Sequence, residues 1–312
     1  MQNLVGKKAL VTGASGFIGS HLCRSLLREG AIVHAVSRKK HPDRNEDILW
    51  HQGDLSEKGV AEVLLASARP DLIFHLAGYP VGARKLENVM PAFRSNLMTT
   101  VNLLTAASEI GCSKIVLTGS LEEPQQYGEG MSPSSPYAAS KLASSAYGQM
   151  FQALFQLPVV ILRVFMVYGP EQSDDSKLIP YVTLSLLTGK EPKLTSGRRL
   201  VDWIYVEDVA EAFLAAARSN HIEGLTLDVG SGVLVPISAI VEHLVRITGA
   251  RVRPCFGFYE DRPMEQERVA DIARPALLMD WRPRVPLEQG LAKTVDWYRT
   301  RLLSGATSPP SI

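Results

Sequence analysis

The chain is short of cysteine, of long apolar runs and of any excess charge, and each shortage closes off a class of protein. Cys23, Cys112 and Cys255 are its 3 cysteines, odd in number and far apart, and none belongs to a CxxC or Cys/His pair at metal-ligand spacing. They read as reduced thiols, which excludes a disulfide framework, and no metal site is expected. His21 and His75 likewise have no partner at ligand spacing and read as a helix-face residue and a strand residue. No window approaches the roughly 20 uninterrupted apolar residues of a membrane span, because charges break every candidate, including 154–168. Residues 1–8 carry lysines but run straight into an apolar strand with no small-residue cleavage site, so a soluble, cytoplasmic protein is expected. Lysine plus arginine number 33 against 32 aspartates plus glutamates. No global field then draws the chain to nucleic acid or an anionic membrane, and any anionic ligand must be held by local basic groups.

Of the 312 residues, 46% are apolar and 21% charged, enough to bury a core in two lobes that share a cleft. Short apolar runs at 8–12, 31–36, 72–77, 114–118 and 159–163 alternate with helical periodicity at 18–28, 96–107 and 137–155. Such alternation predicts an α/β fold with a doubly wound parallel sheet, whose ligands bind at the carboxyl ends of the strands. Beyond Tyr168-Gly-Pro170 a polar loop leads to helical periodicity at 178–187, and further helices are expected at 209–217, 237–248 and 291–302. The reading is a dinucleotide-binding domain over 1–170, rejoined by 201–231. A smaller C-terminal substrate-binding lobe takes 171–200 and 232–303, and a tail takes 304–312. Trp203, Trp281 and Trp297 are expected in the core.

Gly13-Ala-Ser-Gly16-Phe-Ile-Gly19 follows the first strand directly and opens a helix. Glycines there allow a tight turn and close approach of backbone to a pyrophosphate, and the helix N-terminus offers unpaired N–H groups to the anion. Gly13, Ser15, Gly16, Phe17, Ile18 and Gly19 are therefore candidate cofactor residues. The end of the second strand discriminates between cofactors: a carboxylate accepts from the adenosine ribose hydroxyls of NAD, and a basic residue pairs with the extra phosphate of NADP. Here stand Ser37-Arg38-Lys39-Lys40, with no acid, which favours NADP(H) and leaves NAD(H) open. Asp54, with Leu55 beside it on the loop after the next strand, is placed to meet the adenine amine.

Ser135 can cap the long helix and Pro136 fits its first turn, which puts Tyr137 and Lys141 on one face, four residues apart. A phenol ordinarily ionises near pH 10, and an ammonium beside it stabilises the phenolate, making a proton shuttle usable near neutrality. Ser120, just past the carboxyl end of the strand beginning at Lys114, completes a Ser-Tyr-Lys set. With the glycine turn in its GxxGxxG spacing, His75-Leu-Ala-Gly78, Asn96, Tyr168-Gly-Pro170 and Asp202-Trp-Ile-Tyr-Val-Glu-Asp208, the chain resembles the extended short-chain dehydrogenases of the nucleotide-sugar epimerase, dehydratase and reductase type. The resemblance runs from Lys8 to about Tyr298. It implies a Rossmann sheet, Tyr137 as acid/base, Lys141 tuning it and binding the nicotinamide ribose, and Ser120 orienting the sugar oxygen. It also implies that Leu76, Ala77, Gly78 and Asn96 line the cofactor, and that helices near Asn96 and Tyr137 form a homodimer.

Glu122 and Glu123 follow at once. In sugar 4,6-dehydratases an Asp-Glu pair succeeds the catalytic hydroxyl, the glutamate acting as base and the aspartate as acid; here Leu121 takes the acid's place, and a leucine donates no proton. The run Gly-Ser-Leu-Glu-Glu also looks like that of 4-keto-6-deoxy sugar reductases. An NADP-dependent reductase acting on a nucleotide-activated sugar is the first expectation. An NAD-dependent epimerase or dehydratase with Glu122 as base is the second, and a non-catalytic dinucleotide sensor the third. Arg262-Pro-Met-Glu265 resembles the element that grips the nucleotide diphosphate and ribose, a bidentate guanidinium being suited to phosphate. The family often has Asn where this chain has Met166 and Arg where it has Val201, and Lys177, Arg198 and Arg199 are the candidate substitutes for binding phosphate.

Overall fold

The computed structural model describes residues 3–40, 47–124 and 132–305; of the expected tail, 306–312 lie outside them. Among the described residues ten strands form two sheets: β1 (Lys8–Thr12), β2 (Ile32–Ser37), β3 (Ile48–Gln52), β4 (Leu72–His75), β5 (Lys114–Ser120), β6 (Val159–Val164), β7 (Met166–Tyr168), β8 (Leu200–Tyr205), β9 (Thr226–Val229) and β10 (Leu234–Pro236). The helices are α1 (Phe17–Arg28), α2 (Val60–Ala68), the short α3 (Val89–Ala92), α4 (Thr99–Ile110), α5 (Pro136–Phe155), α6 (Leu178–Leu187), α7 (Val206–Arg218), α8 (Ile237–Thr248), α9 (Ala273–Met279) and α10 (Leu287–Leu303).

The large sheet has the order β3-β2-β1-β4-β5-β6-β9, every neighbouring pair parallel. Its strands are apolar on both faces because helices cover both. In β1, Ala9 and Val11 join a core with Leu22 and Leu26 of α1 and Phe213 of α7, whereas Leu10 faces Leu64 of α2 and Leu103 of α4. Strand order reverses between β1 and β4, and there a doubly wound sheet opens its ligand crevice. The small sheet, β10-β8-β7, packs with α6, α8 and α10 around Trp203, Tyr205, Ile240 and Leu291. Strand β8 lies in this small sheet, so within 201–231 it is α7 and β9 that lie against the large one. Trp203 and Trp281 are buried and Trp297 is half-buried. Among the described residues no helix is long and apolar enough to cross a membrane.

Several boundaries differ from the sequence reading for local reasons. Strand β5 runs on to Ser120, which closes the strand rather than following it, because Leu121 N still bonds Val164 O at 3.0 Å. Strand β4 ends at His75, leaving Leu76 and Ala77 in the crevice, where both backbone N–H groups donate to Thr12 Oγ1 at 3.2 and 3.1 Å. Asn96 lies ahead of α4, in a π-helical turn, Phe93–Met98. Such one-turn widenings concentrate at functional sites.

Candidate active site

The phosphate cradle is built by backbone. Gly13 leaves β1 with φ +69°, a left-handed conformation, and a Cβ there would stand 2.7 Å from Ala77 N, so β1 and the loop after β4 meet only because the side chain is missing. Gly16 N closes the turn on Gly13 O at 2.9 Å. Gly16 is also the N-cap of α1 and offers no side-chain cap, so the orphan N–H groups of that first turn point into the crevice. Ser15 is exposed at the turn, with Phe17 and Ile18 partly exposed beside it. This cradle fits a dinucleotide pyrophosphate.

At the far end of β2, Ser37 is the last residue of the strand and Arg38 is exposed beyond it. Burial pushes the Asp54 carboxyl up, but Ser56, donating from N at 2.9 Å and Oγ at 2.8 Å, outweighs it with help from Arg38 and Arg94, and the group stays below the usual carboxylate range. Arg94, on the π turn, was not legible as part of this end. Leu55 is buried, and its carbonyl accepts from Asn102 Nδ2 at 2.8 Å.

Asn96 is 1% exposed and ties three pieces of chain together. Its Oδ1 accepts from Tyr79 N at 2.6 Å, just past Gly78, and its Nδ2 donates to Ser140 Oγ of α5 at 2.8 Å. A Cβ on Gly78 would come within 2.8 Å of that Oδ1, which is why glycine stands there. Thr100 Oγ1 donates to Asn96 O at 2.6 Å, His75 Nε2 lies 3.0 Å from Thr100 Oγ1, and His75 Nδ1 lies 2.8 Å from Thr12 Oγ1. Thr12 already accepts two backbone N–H groups, so its hydroxyl proton goes to Nδ1 and the ring carries its own proton on Nε2. Burial, then Lys141, push the imidazole down to about 3, keeping it neutral. His75 is a structural link in this network.

Tyr137 and Lys141 face Ser120 across the end of β5. Helix α5 starts where expected, with Ser135 Oγ accepting from Ala138 N at 3.1 Å and Pro136 in the first turn. The Tyr137 and Ser120 hydroxyls share a hydrogen bond. Lys141 is buried and donates to Thr118 O at 2.5 Å. Burial pulls the ammonium down to about 8 against the pull of Glu123. The expected lowering of the phenol is not found. Burial pushes Tyr137 up to about 12; Ser120 opposes this, and Glu123 and Glu122 add to it. The physical reason is burial itself, which disfavours the phenolate by more than the Ser120 hydrogen bond returns.

Toward the smaller lobe, Glu122 Oε2 accepts from Ser134 Oγ at 3.3 Å, and its Oε1 lies 3.5 Å from an Arg199 nitrogen. Arg199 also pairs with Glu265 at 3.2 Å and donates to Gln266 O at 3.2 Å. Glu122, Arg199 and Glu265 therefore meet. Arg262 stands at the rim, 70% exposed and 3.8 Å from Glu265, while Lys177 donates to Pro80 O at 3.0 Å, tying α6 to the loop after β4. Leu121 is buried in the core on the α1 and α7 side. Thr12, Thr118, Ser134 and Gln266 were not singled out from sequence, because each acts through a contact that no motif spacing encodes.

Comparison with known proteins agrees with this geometry. Residues 9–230 match the NAD dependent epimerase/dehydratase family. A UDP-glucose 4-epimerase of Mycolicibacterium smegmatis is 31% identical over 94% of this chain and 99% of its own. A mouse dTDP-D-glucose 4,6-dehydratase is 26% identical over 94% of this chain and 89% of its own. The UDP-glucuronic acid 4-epimerase of Bacillus cereus, solved with UDP-glucuronic acid and NAD, superposes with TM-score 0.84 at 27% identity, covering 94% of this chain and 99% of that one. The chain belongs to the NAD-dependent epimerase/dehydratase family and is an enzyme of the extended short-chain dehydrogenase type.

Proposed function

We propose that the protein is a nucleotide-sugar epimerase that oxidises a ring hydroxyl of the sugar and returns the hydride to the opposite face, with its dinucleotide retained through the cycle. The observation that carries this reading is the Ser120–Tyr137–Lys141 set with Leu121, which donates no proton, in the place directly after Ser120. Dehydration needs a proton donor for the leaving hydroxyl as well as a base. Leu121 stands where that donor would be and is in the core, and Glu122 shares its carboxylate between Ser134 and Arg199. Epimerisation asks for neither group. The names of the relatives, epimerases and dehydratases of UDP- and dTDP-sugars, support a nucleotide sugar as substrate and favour this reading over reduction of a 4-keto sugar.

In this scheme Ser120 Oγ and Tyr137 Oη bind the reacting hydroxyl, and Tyr137 Oη takes its proton and gives it back. Lys141 supplies the positive charge behind the phenol, and the network from Thr12 through His75 to Asn96 holds the crevice walls. Arg199 and Arg262 face the substrate's phosphates. When bound, the oxidised dinucleotide supplies a hydride acceptor and a further positive charge beside Tyr137. Phe93, Tyr147, Leu154 and Phe155 are exposed on the π turn and α5 and support a homodimer through these helices, which sedimentation of the purified protein tests.

A second reading, an NADP-dependent reductase, draws on Ser37, Arg38 and Lys39 at the end of β2, where a ribose-binding carboxylate is missing. Denaturing freshly purified protein and identifying the released dinucleotide separates the two. Stoichiometric NAD together with interconversion of UDP-glucose and UDP-galactose, or of another 4-epimeric pair, is the expected result. Release of no dinucleotide, with NADPH consumed by a 4-keto-6-deoxy nucleotide sugar, overturns the epimerase.

A further inference from the structure

Behind the Tyr137–Lys141 pair lies a carboxylate that the reaction leaves without a task. Glu123 is 2% exposed, and its Oε1 accepts from Ser120 N at 2.6 Å. Its side chain also bonds Ser145, one turn beyond Lys141 on α5. Gly119 makes the room: a Cβ there would stand 2.9 Å from Glu123 Oε1 and 3.1 Å from Ile161 Cγ2. A carboxylate this deep persists only where hydrogen bonds and opposite charge answer it. Burial raises its affinity for a proton, while Ser120, Ser145, Lys141 and Arg163, in that order, oppose the rise.

The charged surroundings can be enumerated by element. Lys141 and Tyr137 face Glu123 from α5, Arg163 from β6, Arg268 from the segment before α9, and Glu122 from its own turn. His75, from β4, faces Lys141 and is neutral. Arg163 and Arg268 both bind Asp228 of β9, at 3.0 and 3.4 Å, which gives those two cations a shared partner. Lys141 has the Thr118 carbonyl and, among the described residues, the carboxylate of Glu123 acting on its charge.

Resting on the reading that Tyr137 and Lys141 are the working pair, we infer that Glu123 is a positioning residue with two tasks: it fixes the Ser120 backbone so that its hydroxyl meets Tyr137, and it is the counter-charge that keeps Lys141 an ammonium. Without it Lys141 would be left to the Thr118 carbonyl, and Lys141, unlike Arg163 and Arg268, is a cation able to shed its proton. A neutral amine gives a phenolate no support.

The test needs no substrate. In the full chain carrying 13C-labelled lysine, the Lys141 signal is assigned by its loss in Lys141→Met and its titration followed by NMR. In Glu123→Gln the amide oxygen still accepts from Ser120 N but the charge is gone, and the Lys141 midpoint is expected to fall by about one pH unit, a tenfold loss of proton affinity. A midpoint unmoved in Glu123→Gln overturns the proposal. Should that variant not fold, Glu123→Asp decides: the charge stays, so the midpoint stays, while the shorter reach loses Ser120 N and kcat falls. A displaced midpoint or an unchanged kcat in Glu123→Asp overturns it equally. For an active epimerase, both limbs of the pH–kcat profile move to lower pH in Glu123→Gln, since Glu123 also holds the Tyr137 phenol up. If no nucleotide sugar turns over, the assigned reaction fails while the lysine titration still judges Glu123.

Discussion

The two halves of the cleft are made differently. The dinucleotide side is built by backbone: a left-handed Gly13, an uncapped α1 and the N–H groups after β4 held on Thr12. The side that the proposed reaction gives to the sugar is built by long side chains in ion pairs, Glu122 with Arg199, Arg199 with Glu265, Glu265 with Arg262. A backbone site is set by chain geometry, which leaves few sequences able to make it. A side-chain site can be rebuilt from other residues on the same frame, and so diverges while the fold persists.

Removing the proton carrier gives the largest expected effect on either half. Tyr137→Phe keeps the ring in its half-buried place but loses the hydroxyl, and kcat for epimerisation is expected to drop about a thousandfold with dinucleotide affinity retained. A loss shared between kcat and dinucleotide binding would mean that the tyrosine belongs to the cradle. Gly13→Ala is the complementary break. It places a Cβ 2.7 Å from Ala77 N in a left-handed backbone, and is expected to cost about 2 kcal/mol in a urea melt as well as most of the dinucleotide binding.

This division also explains what could be read from the chain alone. Gly13 to Gly19, Ser120, Tyr137 and Lys141 are fixed by spacing along single elements, and each lies where periodicity and strand ends put it. Arg199 and Glu265 meet although they are 66 positions apart, and Glu123 turns inward beside a Glu122 that turns outward, a choice made by the bend after β5 and the gap over Gly119. The phenol's raised pKa was illegible for a related reason. Spacing brings a lysine to one face of α5 but does not say how far the fold shuts the phenol from water, or that Glu123 and Glu122 turn toward it.

The Lys141 ammonium provides a sharper test through pH. Its folded value, about 8, lies below its ordinary value of 10.5, so the unfolded chain holds more protons between those limits and stability from this group rises with pH across the window. The buried charge penalises the fold fully below pH 8 and is relieved toward 10.5. Lys141→Met lacks this titration, so the native protein is expected to gain up to about 3 kcal/mol on the variant between those limits. Denaturant melts of the two proteins at several pH values measure it, and parallel stability curves would contradict a buried ammonium.

On the sugar side the effects shrink with exposure. Arg199 has 17% of its side chain exposed and stands between two carboxylates, so Arg199→Met leaves Glu122 with Ser134 and Glu265 with the exposed Arg262. A rise of roughly tenfold in KM for the nucleotide sugar is expected, the equivalent of one lost charge-assisted hydrogen bond. Arg262 pairs with the same Glu265 but is 70% exposed, where solvent screens the pair. Arg262→Ala is expected to change KM by less than about twofold at physiological salt. A larger effect from Arg262 than from Arg199 would reverse the order set by burial. The rim arginine would then turn inward onto the substrate's phosphates on binding, making the sugar half a site that assembles around its ligand while the dinucleotide half stands ready-made.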